Sequence, residues 1–224
     1  MKALTISLFM LCLVLVGCEP GTGMSQEEQN GFDQKIDQSK VEYQNILYSN
    51  NSVTEENLIV VLLDGSGSME GNKIEVAKKS VKIFFENLEE NQPIGFYVFD
   101  SNGTRWALVP NVYERSIFNK AVDNVNAAGG TPLGESMQEV KSTFLRLKQK
   151  GKYKNFILLI VTDGEAGDRS LMVQSAVDVI ENGFYLDVIG YGLSSSHGLK
   201  IYSSRYREAD ETTLQNVMLE EMPK

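Results

Sequence analysis

Residues 59–70 read IVVLLDGSGSME. Aliphatic side chains run without a break from Ile59 to Leu63, stop at Asp64, and give way to alternating glycine and serine. A short unbroken aliphatic run bounded by turn residues is the pattern of a strand covered on both faces. The same pattern recurs at residues 94–99, 156–161 and 184–189. Helical spacing fills the gaps. Ile74, Ala77, Val81, Phe84, Phe85 and Leu88 form one apolar stripe; Ile117, Val122 and Val125 a second; Leu133, Met137, Val140, Phe144 and Leu147 a third; Leu171, Val173, Ala176, Val177 and Ile180 a fourth. Residues 104–109 follow the turn sequence DSNG and are expected to pair antiparallel at a sheet edge. Strands alternating with helices predict an α/β domain: a doubly wound, mainly parallel sheet with one antiparallel edge strand and helices on both faces.

In such sheets ligands gather beyond the carboxyl ends of the strands, where strand order reverses. Two expected strands end in aspartate, Asp64 and Asp163, and a third polar loop, AGGTP at 128–132, precedes a helix. Asp64, Ser66 and Ser68 can turn oxygens inward on alternate residues, while Gly65 and Gly67 let the backbone bend closely around an ion. Thr131 adds a hydroxyl and Asp163 a second carboxylate. An all-oxygen set of this kind suits a small hard cation, and two carboxylates leave coordination positions for water or for an acidic group from another molecule.

These residues resemble a known family. From about Leu58 to the C-terminus the chain resembles a von Willebrand factor type A domain, and Asp64, Ser66, Ser68, Thr131 and Asp163 match, in order, the family's metal-ion-dependent adhesion site. The segment SMEGNKIEVAKKSVKIFFENL resembles its first helix and IGFYVFDSN its second strand. The resemblance implies direct metal contact from Ser66, Ser68 and often Thr131, with Asp64 and Asp163 acting directly or through water. It implies Mg²⁺, with Mn²⁺ or Ca²⁺ as substitutes, a protein partner that offers an acidic side chain, and no catalysis. Glu70, Asp100, Glu165 and Arg169 are expected to rim that face and to select the partner.

Simpler readings exist for each element alone. DGSGS is a common turn composition, Asp163-Gly164 a strand-end turn, and Thr131-Pro132 a helix start with Thr131 as N-cap. A strand ending in aspartate also resembles a haloacid-dehalogenase-like, Mg²⁺-dependent phosphatase, but that chemistry needs an acid two residues on, where this chain has Ser66. Gly65, Gly67 and Gly71 miss the dinucleotide-loop spacing by one residue, and GNK is not a phosphate-loop ending. His197, the only histidine, is expected on the surface, and Trp106, Phe84 and Phe85 are expected to pack. A further alternative is an envelope scaffold whose metal only staples three loops.

The first residues carry an expectation about location. Lys2 and the apolar run at 3–16 read as a signal peptide. Leu15-Val16-Gly17-Cys18 resembles the lipobox of bacterial lipoproteins, which implies lipid on Cys18 and cleavage before it. Cys12 and Cys18 are the only cysteines, so no disulfide and no thiolate chemistry is expected in the domain. The expected organisation is a lipoprotein signal peptide at 1–17, lipidated Cys18 and a polar tether at 18–57, and the type A domain at 58–224. Phe32, Ile36, Tyr43, Ile46 and Leu47 recur near helical spacing within the tether. The protein is expected to be a monomer held outside the cytoplasm by its acyl chains alone, and in a Gram-negative cell Glu19 after Cys18 resembles the signal that sends lipoproteins to the outer membrane. A formal net charge of -9 argues against nucleic acid or an anionic lipid surface as partner.

Overall fold

The computed structural model describes residues 56–193 and 197–222, together with the exposed helical positions Gln34 and Gln38. The signal segment, Cys18 and most of the 18–57 tether, with Phe32, Ile36, Tyr43, Ile46 and Leu47, lie outside the described residues.

From residue 57 onward the chain runs β1 (Asn57–Asp64), α1 (Asn72–Glu86), β2 (Ile94–Asp100), β3 (Gly103–Asn111), α2 (Arg115–Asp123), α3 (Leu133–Gln149), β4 (Asn155–Thr162), α4 (Arg169–Glu181), β5 (Tyr185–Tyr191), β6 (Arg205–Ala209) and α5 (Leu214–Glu220). The strands form one sheet in the order β3-β2-β1-β4-β5-β6. Every pairing is parallel except β2 with β3.

Alternation along each strand sends side chains to two separate cores. Ile59, Val61 and Leu63 of β1 face α1, α2 and α5, against Val81, Phe84, Phe118 and Met218. Leu58, Val60 and Leu62 face α3 and α4, against Val140, Phe144, Leu147 and Met172. Both sides of β1 are therefore dry, which is why its sequence is aliphatic at every position from Leu58 to Leu63 rather than at every second one. On the α1 side Phe85 stacks on Phe118 at 4.0 Å. On the other side Phe144, Phe156 and Phe184 form a triangle with centroids 5.2–5.3 Å apart.

The expected sheet is observed, with one strand added. β6, sequence RYREA, pairs parallel to β5 and forms the second edge. It has no aliphatic run because an edge strand is wet on one side, and charges there block pairing with another sheet. The C-terminal segment supplies the short helix α5.

Candidate metal centre

β1 and β4 are parallel neighbours, and the strand order reverses between them. Their carboxyl ends place Asp64 beside Thr162 and Asp163 at the crevice where α/β sheets bind ligands. Backbone bonds lock three loops around this point. Gly67 N–H donates to Gly129 O (3.0 Å), Ala128 N–H to Gly65 O (2.9 Å), and Gly167 N–H to Thr131 O (2.9 Å). Met69, 0% exposed, plugs the first loop into the core beneath α1.

The side chains form a connected array. Asp64 Oδ1 accepts from Ser66 N–H (2.8 Å) and Ser66 Oγ (2.5 Å), and Oδ2 accepts from Thr162 Oγ1 (2.6 Å). Ser66 Oγ lies 3.1 Å from Ser68 Oγ, which donates to Asp163 Oδ1 (2.7 Å). Lys73 Nζ donates to Asp163 Oδ2 at 2.6 Å. Thr131 is half-buried, and its carbonyl ties it to Gly167, so its loop lies against the loop that follows Asp163.

The electrostatics favour a cation. Asp64 is 0% exposed and, among the described residues, no lysine or arginine pairs with it. Burial pushes its carboxyl above the ordinary value; the Ser66 and Thr162 hydrogen bonds pull it back only in part, and the charge of Asp163 raises it further. The Tyr191 hydroxyl, buried without a hydrogen-bond partner, is pushed to about 12 by burial and then by Glu211, Asp163 and Asp210. Burial is the largest cause at both groups, and the charge of Asp163 adds to each. Mg²⁺, Mn²⁺ or Ca²⁺ fits this donor set, since every candidate ligand atom is a carboxylate, hydroxyl, carbonyl or water oxygen. Among the described residues no group of three or more carboxylate, imidazole or thiol side chains is placed to hold a metal. An ion here would therefore draw on hydroxyls beside the two carboxylates.

A family model described as "von Willebrand factor type A domain" matches residues 59–222. The chain belongs to the von Willebrand factor type A domain family. The Bacillus subtilis (strain 168) protein YwmD is 32% identical, over 59% of this chain and 70% of that one. Among solved structures, a von Willebrand factor type A protein from Catenulispora acidiphila superposes with TM-score 0.62 at 22% identity, over 75% of this chain and 42% of that one. Proximal thread matrix protein 1 of the mussel byssus, in a form with a zinc-occupied metal-ion-dependent adhesion site motif, superposes with TM-score 0.61 at 14% identity, over 75% of this chain and 45% of that one. This type A domain thus spans under half the length of both solved chains.

The rim of the type A domain differs from expectation at Asp100. Glu70 is exposed beside the first loop, Glu165 is exposed and accepts from Gly198 N–H (3.2 Å), and Arg169 is exposed at the start of α4. Asp100 instead points inward and is 6% exposed. Arg105 grips both its oxygens, and the Asn102 and Asn126 N–H groups donate to it at 2.8 and 3.1 Å. Burial alone would raise its carboxyl, but Arg105 and the two backbone N–H groups outweigh that and hold it below the ordinary value. Asp100 ties the β2–β3 hairpin to the loop before residue 128, so no charge is left over for a partner.

Three more local readings change. His197 is 2% exposed rather than solvated. Its Nδ1 accepts from Leu199 N–H (3.0 Å), so Nε2 carries the proton and donates to Gly164 O (2.8 Å), pinning the loop beside Asp163. Thr131 does not cap α3, which starts at Leu133 after Pro132. Asp168 does so from across the fold, accepting from Gly134 N–H (2.9 Å) and Glu135 N–H (2.8 Å). Neither Gly65 nor Gly67 has a positive φ. Gly65 is needed for clearance instead, because a Cβ there would lie 2.8 Å from both Phe99 O and Asp100 Cβ, whereas at Gly67 the nearest atom would be 3.5 Å away. Thr162, Asp168 and His197 carried no signal in the sequence, because each acts on residues 33 or more positions away, which only the fold brings together.

Proposed function

We propose that this chain is a lipid-anchored module facing outside the cytoplasm, which holds one divalent cation through Asp64, Ser66, Ser68, Thr131 and Asp163 and uses it to bind an acidic side chain of a protein partner. The observation that carries the reading is the buried carboxylate Asp64, joined through Ser66 and Ser68 to Asp163, with no cation of its own among the described residues. Two carboxylates and three hydroxyls neutralise a divalent ion without filling its shell, so a water or a partner's carboxylate completes it. Mg²⁺ is the ion best suited to such a partly hydrated oxygen site. A phosphoryl-transfer role for Asp64 is disfavoured by the same burial, since no phosphoester reaches a carboxylate that is 0% exposed and bonded at both oxygens.

Calorimetric titration of Mg²⁺ or Mn²⁺ into the full chain in detergent tests the metal. Saturable binding near one to one, lost in Asp163→Ala, is the expected result; absence of heat at millimolar metal overturns the reading. The anchor is tested separately by Cys18→Ala. That variant is expected to leave the membrane fraction and appear in the soluble one, and its retention on the membrane would rule out a lipid on Cys18.

A further inference from the structure

Among the described residues the ammonium of Lys73 pairs with a carboxylate of the site, and nothing in the donor set requires it. Lys73 is the second residue of α1, and its Nζ lies 2.6 Å from Asp163 Oδ2 while Ser68 Oγ holds Oδ1. Its stem runs past the turn after β5: a Cβ at Gly192 would sit 3.4 Å from Lys73 Cε, and Gly192 is fixed by its N–H bond to Ala209 O (2.7 Å). The Asp163 side chain is 0% exposed and the Lys73 side chain 33%, so the ammonium reaches in from the rim to the outer oxygen. That leaves Oδ1, the oxygen on the Ser68 side, facing the array that runs back to Asp64.

We infer that Lys73 is a resident cation that sets the charge of the site, so that the metal-loaded centre is left with one unbalanced positive charge which an anionic ligand cancels. The inference rests on the metal reading above. Two carboxylates and one ammonium give the protein side one net negative charge, and a divalent ion turns this into one net positive charge. Without Lys73 the loaded site is neutral and has no electrostatic reason to prefer a carboxylate. With Oδ2 held by the ammonium, Asp163 would offer a bound ion only Oδ1. Bare metal is held less tightly as a consequence, and metal and anion bind with positive coupling.

The test is calorimetric titration of Mn²⁺ into the full chain and into Lys73→Met, each with and without acetate as the anionic probe. Lys73→Gln, which keeps a polar end near the native reach, repeats the series in case the apolar variant perturbs the helix start. Both variants are expected to bind Mn²⁺ alone at least about tenfold more tightly, the scale of one unit charge a few ångströms from the ion. Acetate is expected to tighten Mn²⁺ binding to the wild type and to leave the variants unchanged. Binding by the variants with none by the wild type, with or without acetate, overturns the inference, since the ammonium then excludes the ion instead of setting the charge of a loaded centre. Equal or weaker affinity in both variants overturns the role of Lys73 while leaving the metal site standing. Absence of binding in all three proteins overturns the metal reading and this one with it.

Discussion

Asp64→Asn is expected to raise the melting temperature of the metal-free protein and to abolish its response to Mg²⁺. The ionised carboxylate is wholly buried, and no positive partner offsets its desolvation among the described residues. An amide fits the same bonds. Its oxygen accepts from Ser66 N–H and Oγ, and its nitrogen donates to Thr162 Oγ1, whose proton turns to Gly164 O, 3.2 Å away. Removing an uncompensated buried charge is worth about 1–3 kcal/mol, or roughly 3–10 °C for a chain of this size. The sign with pH follows from the raised carboxyl. The folded state holds this proton more tightly than the unfolded chain does, so Asp64 favours folding in acid, and that contribution is lost as pH rises through the raised value. The gap between variant and wild type is therefore small in acid and opens as pH rises through that raised value. Metal reverses the comparison: at about a hundredfold excess over Kd the wild type gains about 2.7 kcal/mol and the variant gains nothing. Thermal melts in chelator and in Mg²⁺ across pH check all of this. A metal-free variant less stable than wild type would mean that the carboxylate is a structural anchor rather than a group held ready for a cation.

The second large effect is expected at Gly134→Ala. A Cβ there would lie 2.3 Å from Met172 N, 2.7 Å from Leu171 C and 2.9 Å from Asp168 Oδ2. Two of those atoms are backbone of α4, so no flexible side chain can give way, and α3 and α4 must separate. The cost is about 3 kcal/mol, at the upper end of overpacking. The Ser175 Oγ bond to Gly134 O (3.1 Å) and the two bonds from Asp168 are strained by the same movement. Because Gly167 N–H holds Thr131 O, the shift also disturbs the loop that carries Thr131. Urea unfolding is expected to show a lowered midpoint with an unchanged slope, and Mn²⁺ affinity is expected to fall with it. A variant as stable as wild type would contradict the close contact between these helices.

What the sequence determined by itself was whatever depends on residues near one another along the chain. The dry strands β1, β2, β4 and β5 were legible because aliphatic runs report burial on both faces, and the helices because their apolar stripes repeat at helical spacing. Asp64, Ser66 and Ser68 were legible because a single loop presents all three. Tertiary structure decided the rest. β6 was hidden because a charged edge strand has no periodic signature until β5 is seen beside it. Asp100 was read as rim because nothing in a DSNG turn reveals that Arg105, across the hairpin, takes both its oxygens. His197, Asp168 and Lys73 each gained their roles from contacts 33, 34 and 90 residues away in the chain. Local sequence shows which side chains a loop presents, but the charge that balances a buried carboxylate comes from whichever element folds against it, and that is set only when the sheet brings distant strand ends together.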